Sequence, residues 1–84
     1  MASTTKFEFP TKRPPAEAVE ALARRGGKFH RFFVYPGTAG QAHLVEILSD
    51  DRAAVHEVAQ EIGVKDGQRK VAVSETPAKV LRVP

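Results

Sequence analysis

Residues 28–48 read KFHRFFVYPGTAGQAHLVEIL. Two apolar runs, 29–35 and 42–48, flank the turn-rich segment Pro36-Gly37-Thr38-Ala39-Gly40, which is the pattern of a β-hairpin. The stretch holds four of the six aromatic residues and two of the three histidines. A four-residue loop at 37–40 predicts a register in which Phe29 faces Leu48, Arg31 faces Glu46, Phe33 faces Leu44 and Tyr35 faces Ala42. On the opposite side His30 then meets Ile47, Phe32 meets Val45 and Val34 meets His43. The Arg31–Glu46 pairing favours this register, since opposite charges across strands contribute roughly 0.2–1 kcal/mol.

Upstream of the hairpin, residues 1–5 read as a flexible polar start, and the alternation of residues 6–9 predicts a short strand with Phe7 and Phe9 inward. Pro10 is expected to end it or to place it near an edge. Residues 11–15 form a stiff connector, and Pro15 suits the first turn of a helix over 15–25, where its missing amide would be unpaired anyway. Glu17 lies at the positive end of that helix dipole, Arg24 and Arg25 at the negative end, and Gly26 terminates it. Downstream, Ser49 or Asp50 caps a second helix over 51–62, whose Val55, Val58, Ala59 and Ile62 share a face, with Gly63 as its stop. Asp66-Gly67 marks a turn, residues 69–74 alternate as a strand with Val71 and Val73 inward, and Pro77 interrupts. Residues 77–84 read as an extra strand, or as an arm exchanged with a neighbour.

The order is β-α-β-β-α-β, so the fold class is α+β, a ferredoxin-like sandwich with an antiparallel sheet covered by two helices on one face. In that topology the first and third strands are central. The third, at 42–48, is suitably apolar, whereas residues 6–9 are short and polar for such a place. With 84 residues the chain forms one domain, 1–84, with a small core and modest stability.

Composition limits the chemistry. Apolar residues make up 42% and charged residues 27%, values of an ordinary globular protein. No cysteine is present, which excludes disulfides and all thiolate chemistry. No apolar run approaches the roughly 20 residues of a membrane span, and the amino terminus lacks a signal-peptide core, so the expected location is cytoplasmic with no membrane partner. The formal charge of +3 is compatible with anionic partners without demanding one.

Both hairpin faces come out apolar. The face with Phe32, Val34, Val45 and Ile47 lacks charge and is assigned to the helices. The opposite face gathers Phe29, Arg31, Phe33, Tyr35, Leu44, Glu46 and Leu48, and is expected to be an interface or ligand surface, because monomers rarely expose so much apolar area. The leading expectation is a non-enzymatic protein- or ligand-binding module that self-associates through this face, as a dimer or higher oligomer, with no cofactor and no metal. The carboxy-terminal segment folding back over the face is the competing structural reading.

Two other functions fit parts of the same sequence. A nucleic-acid binder would use Lys12, Arg13, Arg24, Arg25, Lys28, Arg69 and Lys70 on phosphates. The run 31–35 faintly resembles the aromatic ribonucleoprotein motif, but it lacks the Gly and falls on the second strand. The segment 37–40 has the GxxG form of KH domains, but strands flank it where helices should. A cofactor-independent enzyme of the dimeric α/β-barrel type would place Arg31, Tyr35 or Glu46 in a pocket between sheets, although no acid–base pair is evident. The histidines His30, His43 and His56 read as structural, too dispersed to share a metal.

Overall fold

The computed structural model describes residues 4–65 and 70–78. Its strands are β1 (Thr4–Thr11), β2 (Arg31–Tyr35), β3 (His43–Ser49) and β4 (Ser74–Ala78), and its helices are α1 (Pro15–Ala23) and α2 (Arg52–Ile62). The strands form one antiparallel sheet in the order β2-β3-β1-β4. This order and the two helices fit the ferredoxin-like arrangement that the element order predicts.

β1 is longer than its apolar signal. It pairs with β3 from Thr5↔Ser49 to Thr11↔His43 and with β4 from Thr4↔Ala78 to Glu8↔Ser74. Phe7 and Phe9 are fully buried, while Lys6 and Glu8 turn to the other side. The polar residues that looked wrong for a central strand are therefore the outward half of a sheet covered on one face.

Pro10 neither ends β1 nor breaks it. Its carbonyl accepts from the Val64 amide at 2.9 Å, on the side away from β3. Nitrogen and carbonyl of one residue in an antiparallel strand point the same way, so the missing N–H falls where β1 has no ladder to lose. The same fact explains a correction at β4. A strand over 69–74 would have to pair with Pro10, which has no donor and a carbonyl already engaged. The ladder instead begins at Ser74, opposite Glu8, and runs through Pro77, opposite Thr5. Val71 is still buried and Val73 packs against the core, but both precede the strand. Proline is tolerated there because β4 is an edge strand. Residues 79–84, read as part of an extra strand or arm, lie outside the described residues.

The helices pack on the face of Phe7, Phe9, Val45 and Ile47. α1 begins at Pro15 as expected but ends at Ala23, and it buries Ala18, Ala21 and Leu22 while Val19 stays 43% exposed. α2 is capped by Asp51, whose side chain accepts from the Ala54 amide at 3.0 Å, and it buries Ala54, Val55, Val58, Ala59 and Ile62. Gly63 follows where a Cβ would collide with the Ala59 carbonyl oxygen and the Val71 side chain.

Two hydroxyls tie these layers together. Thr11, fully buried, donates to the Ile62 carbonyl at 2.7 Å and accepts from the Arg13 amide at 3.1 Å. Ser49, equally buried, donates to the Lys28 carbonyl at 2.6 Å and accepts from the Asp51 amide at 2.9 Å. Each closes one end of α2 onto a central strand.

The hairpin register differs from the expected one by two residues. Arg31 pairs with Leu48, Phe33 with Glu46 and Tyr35 with Leu44, while Phe32 meets Ile47 and Val34 meets Val45. The connection spans residues 36–42, and it is closed by a bond from the Gly37 amide to His43 Nδ1 at 2.8 Å and by a turn from the Thr38 carbonyl to the Gln41 amide at 2.9 Å. A slip of two residues keeps every side chain on its face, so the apolar pattern could not distinguish the registers.

Candidate functional site

Side chains alternate along each strand, so the residues between the core positions share the open face. Across β2, β3 and β1 they fall into three rows. The first is Tyr35, Leu44 and Pro10; the second is Phe33, Glu46 and Glu8, extended by Ser74 of β4; the third is Arg31, Leu48 and Lys6, extended by Thr76.

The exposed apolar groups sit at the β2 side of these rows. Phe33 is 45% exposed, Tyr35 46% and Leu44 38%. The Phe33 and Tyr35 rings lie side by side, their centroids 6.1 Å apart and their planes inclined at 31°. Two side chains fixed on one short strand thus present a nearly continuous aromatic surface.

Charge on this face is sorted by row. Glu46 and Glu8 are direct cross-strand partners, an arrangement of like charges that costs stability. Lys6 Nζ approaches Glu8 Oε1 at 3.9 Å and offsets part of this. Hydrogen bonding to Glu46, helped by partial desolvation and the nearby negative charge, holds the Tyr35 hydroxyl above the usual phenol range. Arg31 is exposed and faces Leu48, so the expected Arg31–Glu46 pair across the hairpin is not formed. Among the described residues, neither Arg31 nor Glu46 has an ion-pair partner within 4.0 Å.

Six of the seven residues expected on this face are there, and Phe29 is the exception. After a 3-10 turn at Gly26–Lys28 the chain bends at His30 and β2 starts only at Arg31, so Phe29 lies outside the alternating run. Phe29 is consequently buried in the core, edge-on to Phe32 with ring centroids 6.4 Å apart. Alternation over 6–9 already turns Lys6 and Glu8 to this face, and Pro10 joins them because β1 continues through its proline.

The basic residues do not converge. Arg25 bonds Glu57 at 3.1 Å and Glu61 at 3.0 Å, and Arg24 reaches Glu20 at 3.4 Å and Glu61 at 3.7 Å, so both hold α1 to its acidic surroundings. Burial lowers the pKa of Arg25, but its bonds to Glu61 and Glu57 outweigh this and hold it above the usual value. Lys12 and Arg13 line an open depression of about 450 Å³ beside the end of α2. Lys28 lines another, of about 470 Å³, with His30, Asp50, Asp51 and Arg52. Lys12 follows Thr11 at the His43 end of β3 and Lys28 adjoins Ser49 at the other, about 20 Å away at strand rise. Lys70 is exposed, and Arg69 lies outside the described residues.

The histidines take separate structural places. His30 Nε2 bonds Asp50 Oδ2 at 3.0 Å, His43 caps the hairpin loop as an unprotonated acceptor, and His56 packs edge-on to Phe7 with centroids 6.3 Å apart. Glu75 of β4 joins Arg52 of α2 at 2.8 Å, a tether that a break at Pro77 had hidden. Among the described residues, no three His, Asp or Glu side chains gather to hold a metal ion, and no helix is long and apolar enough to cross a membrane. No protein-family model and no curated protein matches this chain, so its functional reading rests on the geometry of the open sheet face.

Proposed function

We propose that the protein is a small binding module that self-associates through the open face of its sheet, with a second copy of the chain as the occupant. The observation that carries this reading is the exposed group Phe33, Tyr35 and Leu44, set opposite a core that is already complete on the helix side. At ~25 cal/mol per Å² of apolar area, covering a few hundred Å² contributes several kcal/mol, comparable with the whole stability of a domain this size. A twofold copy supplies the same apolar strip in return.

The face is poorly suited to nucleic acid. Glu8 and Glu46 stand beside the aromatic pair, where they would repel phosphates, and Arg24 and Arg25 are engaged by carboxylates. Among the described residues of one chain, no acid–base geometry supports an active site between two such sheets.

Sedimentation equilibrium over a wide concentration range tests the reading. The native chain should give a dimer or larger mass, and Phe33→Asp, at an exposed position, should give a folded monomer with an unchanged far-ultraviolet spectrum. A native chain that stays monomeric at every concentration would remove the proposal.

A further inference from the structure

The charges left over on the open face suggest how two copies meet. Arg31 and Glu46 stand two residues out of step across the β2–β3 ladder, Arg31 beside Phe33 along β2 and Glu46 opposite that ring. Each is a long charged side chain on a partly apolar surface, and neither finds an opposite charge within its own chain among the described residues. The row Phe33, Glu46 and Glu8 is acidic and aromatic, and the next row, Arg31, Leu48 and Lys6, is basic. Rows of opposite sign on one face make that face complementary to itself.

Resting on the self-association reading, we infer that Arg31 of each copy pairs with Glu46 of the other across a twofold axis lying between these two rows. The axis runs in the plane of the interface and across the strands. Rotation about it lays the acidic row of one copy over the basic row of the other, strand for strand. Arg31 then falls over the second copy's Phe33, and Lys6 falls over the second copy's Glu8. Neighbouring strands are about 4.8 Å apart, so a guanidinium above Phe33 is within reach of the Glu46 carboxylate on the adjoining strand. A guanidinium serves both contacts at once, since its flat face stacks on an aromatic ring while its edge donates to a carboxylate. The same rotation sets Lys6 against Glu8, which relieves the Glu8–Glu46 repulsion that Lys6 only partly offsets within one chain. An isologous contact of this kind makes every pair twice, so a small set of residues fixes both orientation and register.

Charge exchange tests this pairing separately from self-association. Arg31→Glu and Glu46→Arg are purified singly, and each should dimerise about tenfold or more weakly than the native chain, because each brings like charges together twice. An equimolar mixture should form a mixed dimer well above the roughly half that random pairing gives, since both contacts then join opposite charges. Native mass spectrometry reads the proportions. The milder pair Arg31→Gln and Glu46→Gln, combined in a double-mutant cycle on the dimer dissociation constant, should show coupling between the sites and covers the case in which a reversed charge disturbs folding. A native dimer whose mixed variants pair only at random, with no coupling in the cycle, overturns the pairing and leaves self-association standing. A native monomer overturns both.

Discussion

Thr11→Val is the sharpest test of how the sheet holds its second helix. Valine has nearly the shape of threonine, so the buried site keeps its packing and loses only the hydroxyl. That hydroxyl makes two bonds, donating to the Ile62 carbonyl at 2.7 Å and accepting from the Arg13 amide at 3.1 Å. Ile62 is the last residue of α2, and its carbonyl has no further helical turn to serve it. Removing the donor forfeits about 1 kcal/mol of net hydrogen bonding and strands a buried carbonyl at about 1–3 kcal/mol, so the expected loss is about 2 kcal/mol or more. At roughly 0.05–0.15 kcal/mol per residue, the whole chain is stable by about 4–13 kcal/mol, and the loss is a large part of it. With a urea slope of about 1 kcal/mol per molar, the unfolding midpoint should fall by about 2 M at fixed protein concentration. Thr11→Ser keeps both bonds and gives up one methyl, for about 1 kcal/mol. If valine shifts the midpoint by less than about 0.5 M at unchanged slope, or if serine costs as much as valine, the hydroxyl is not what anchors α2.

Three further outcomes follow from the geometry. Tyr35 is the only tyrosine, so its ultraviolet titration is unambiguous: the phenol should ionise above its usual range, and Glu46→Gln should bring it down. Because its folded pKa is raised, its contribution to stability is present below the unfolded phenol value of about 10 and is lost as pH rises through the folded one; a titration indifferent to Glu46→Gln would contradict this. Gly63→Ala places a methyl against the Ala59 carbonyl and Val71, and thermal unfolding should show a loss of about 1–3 kcal/mol, whereas an unchanged transition would mean that the turn has room to spare. His43→Ala removes the acceptor of the Gly37 amide, so hydrogen exchange at Gly37 should accelerate while global stability changes by about 1 kcal/mol or less; an exchange rate equal to the native one would rule out the loop cap.

Much of this molecule is legible residue by residue, and the failures share a cause. Phe7 and Phe9, Val45 and Ile47, and the apolar stripe of α2 announce their faces through local periodicity, and the order of elements leads to the sheet. Local pattern cannot register what a distant residue imposes. The start of β4 depends on Pro10, more than 60 positions earlier, which denies it a ladder partner. The buried role of Thr11 depends on Ile62, 51 positions later. The hairpin register depends on one histidine nitrogen closing a loop longer than its glycines suggest. Phe29 escapes the alternation because the chain bends at His30 and β2 starts only at Arg31. For the open face, alternation identifies six members on the hairpin; Lys6 and Glu8 follow from the outward half of 6–9, and only Pro10 is disguised, because a proline there reads as the end of the strand.

That proline bears on how copies of the chain can meet. A sheet can associate through its face or by adding strands to its edge, and edge addition has no natural end. Beyond Glu8, β4 no longer pairs with β1 among the described residues, and an ordinary residue at position 10 would place an amide on that side. Pro10 withholds that donor and gives its carbonyl to Val64, and Thr11 bridges Gly63, so this stretch of the central strand cannot nucleate a ladder with a neighbour. The result is a protein closed to open-ended polymerisation along that border while its aromatic face remains available, which favours assemblies that terminate.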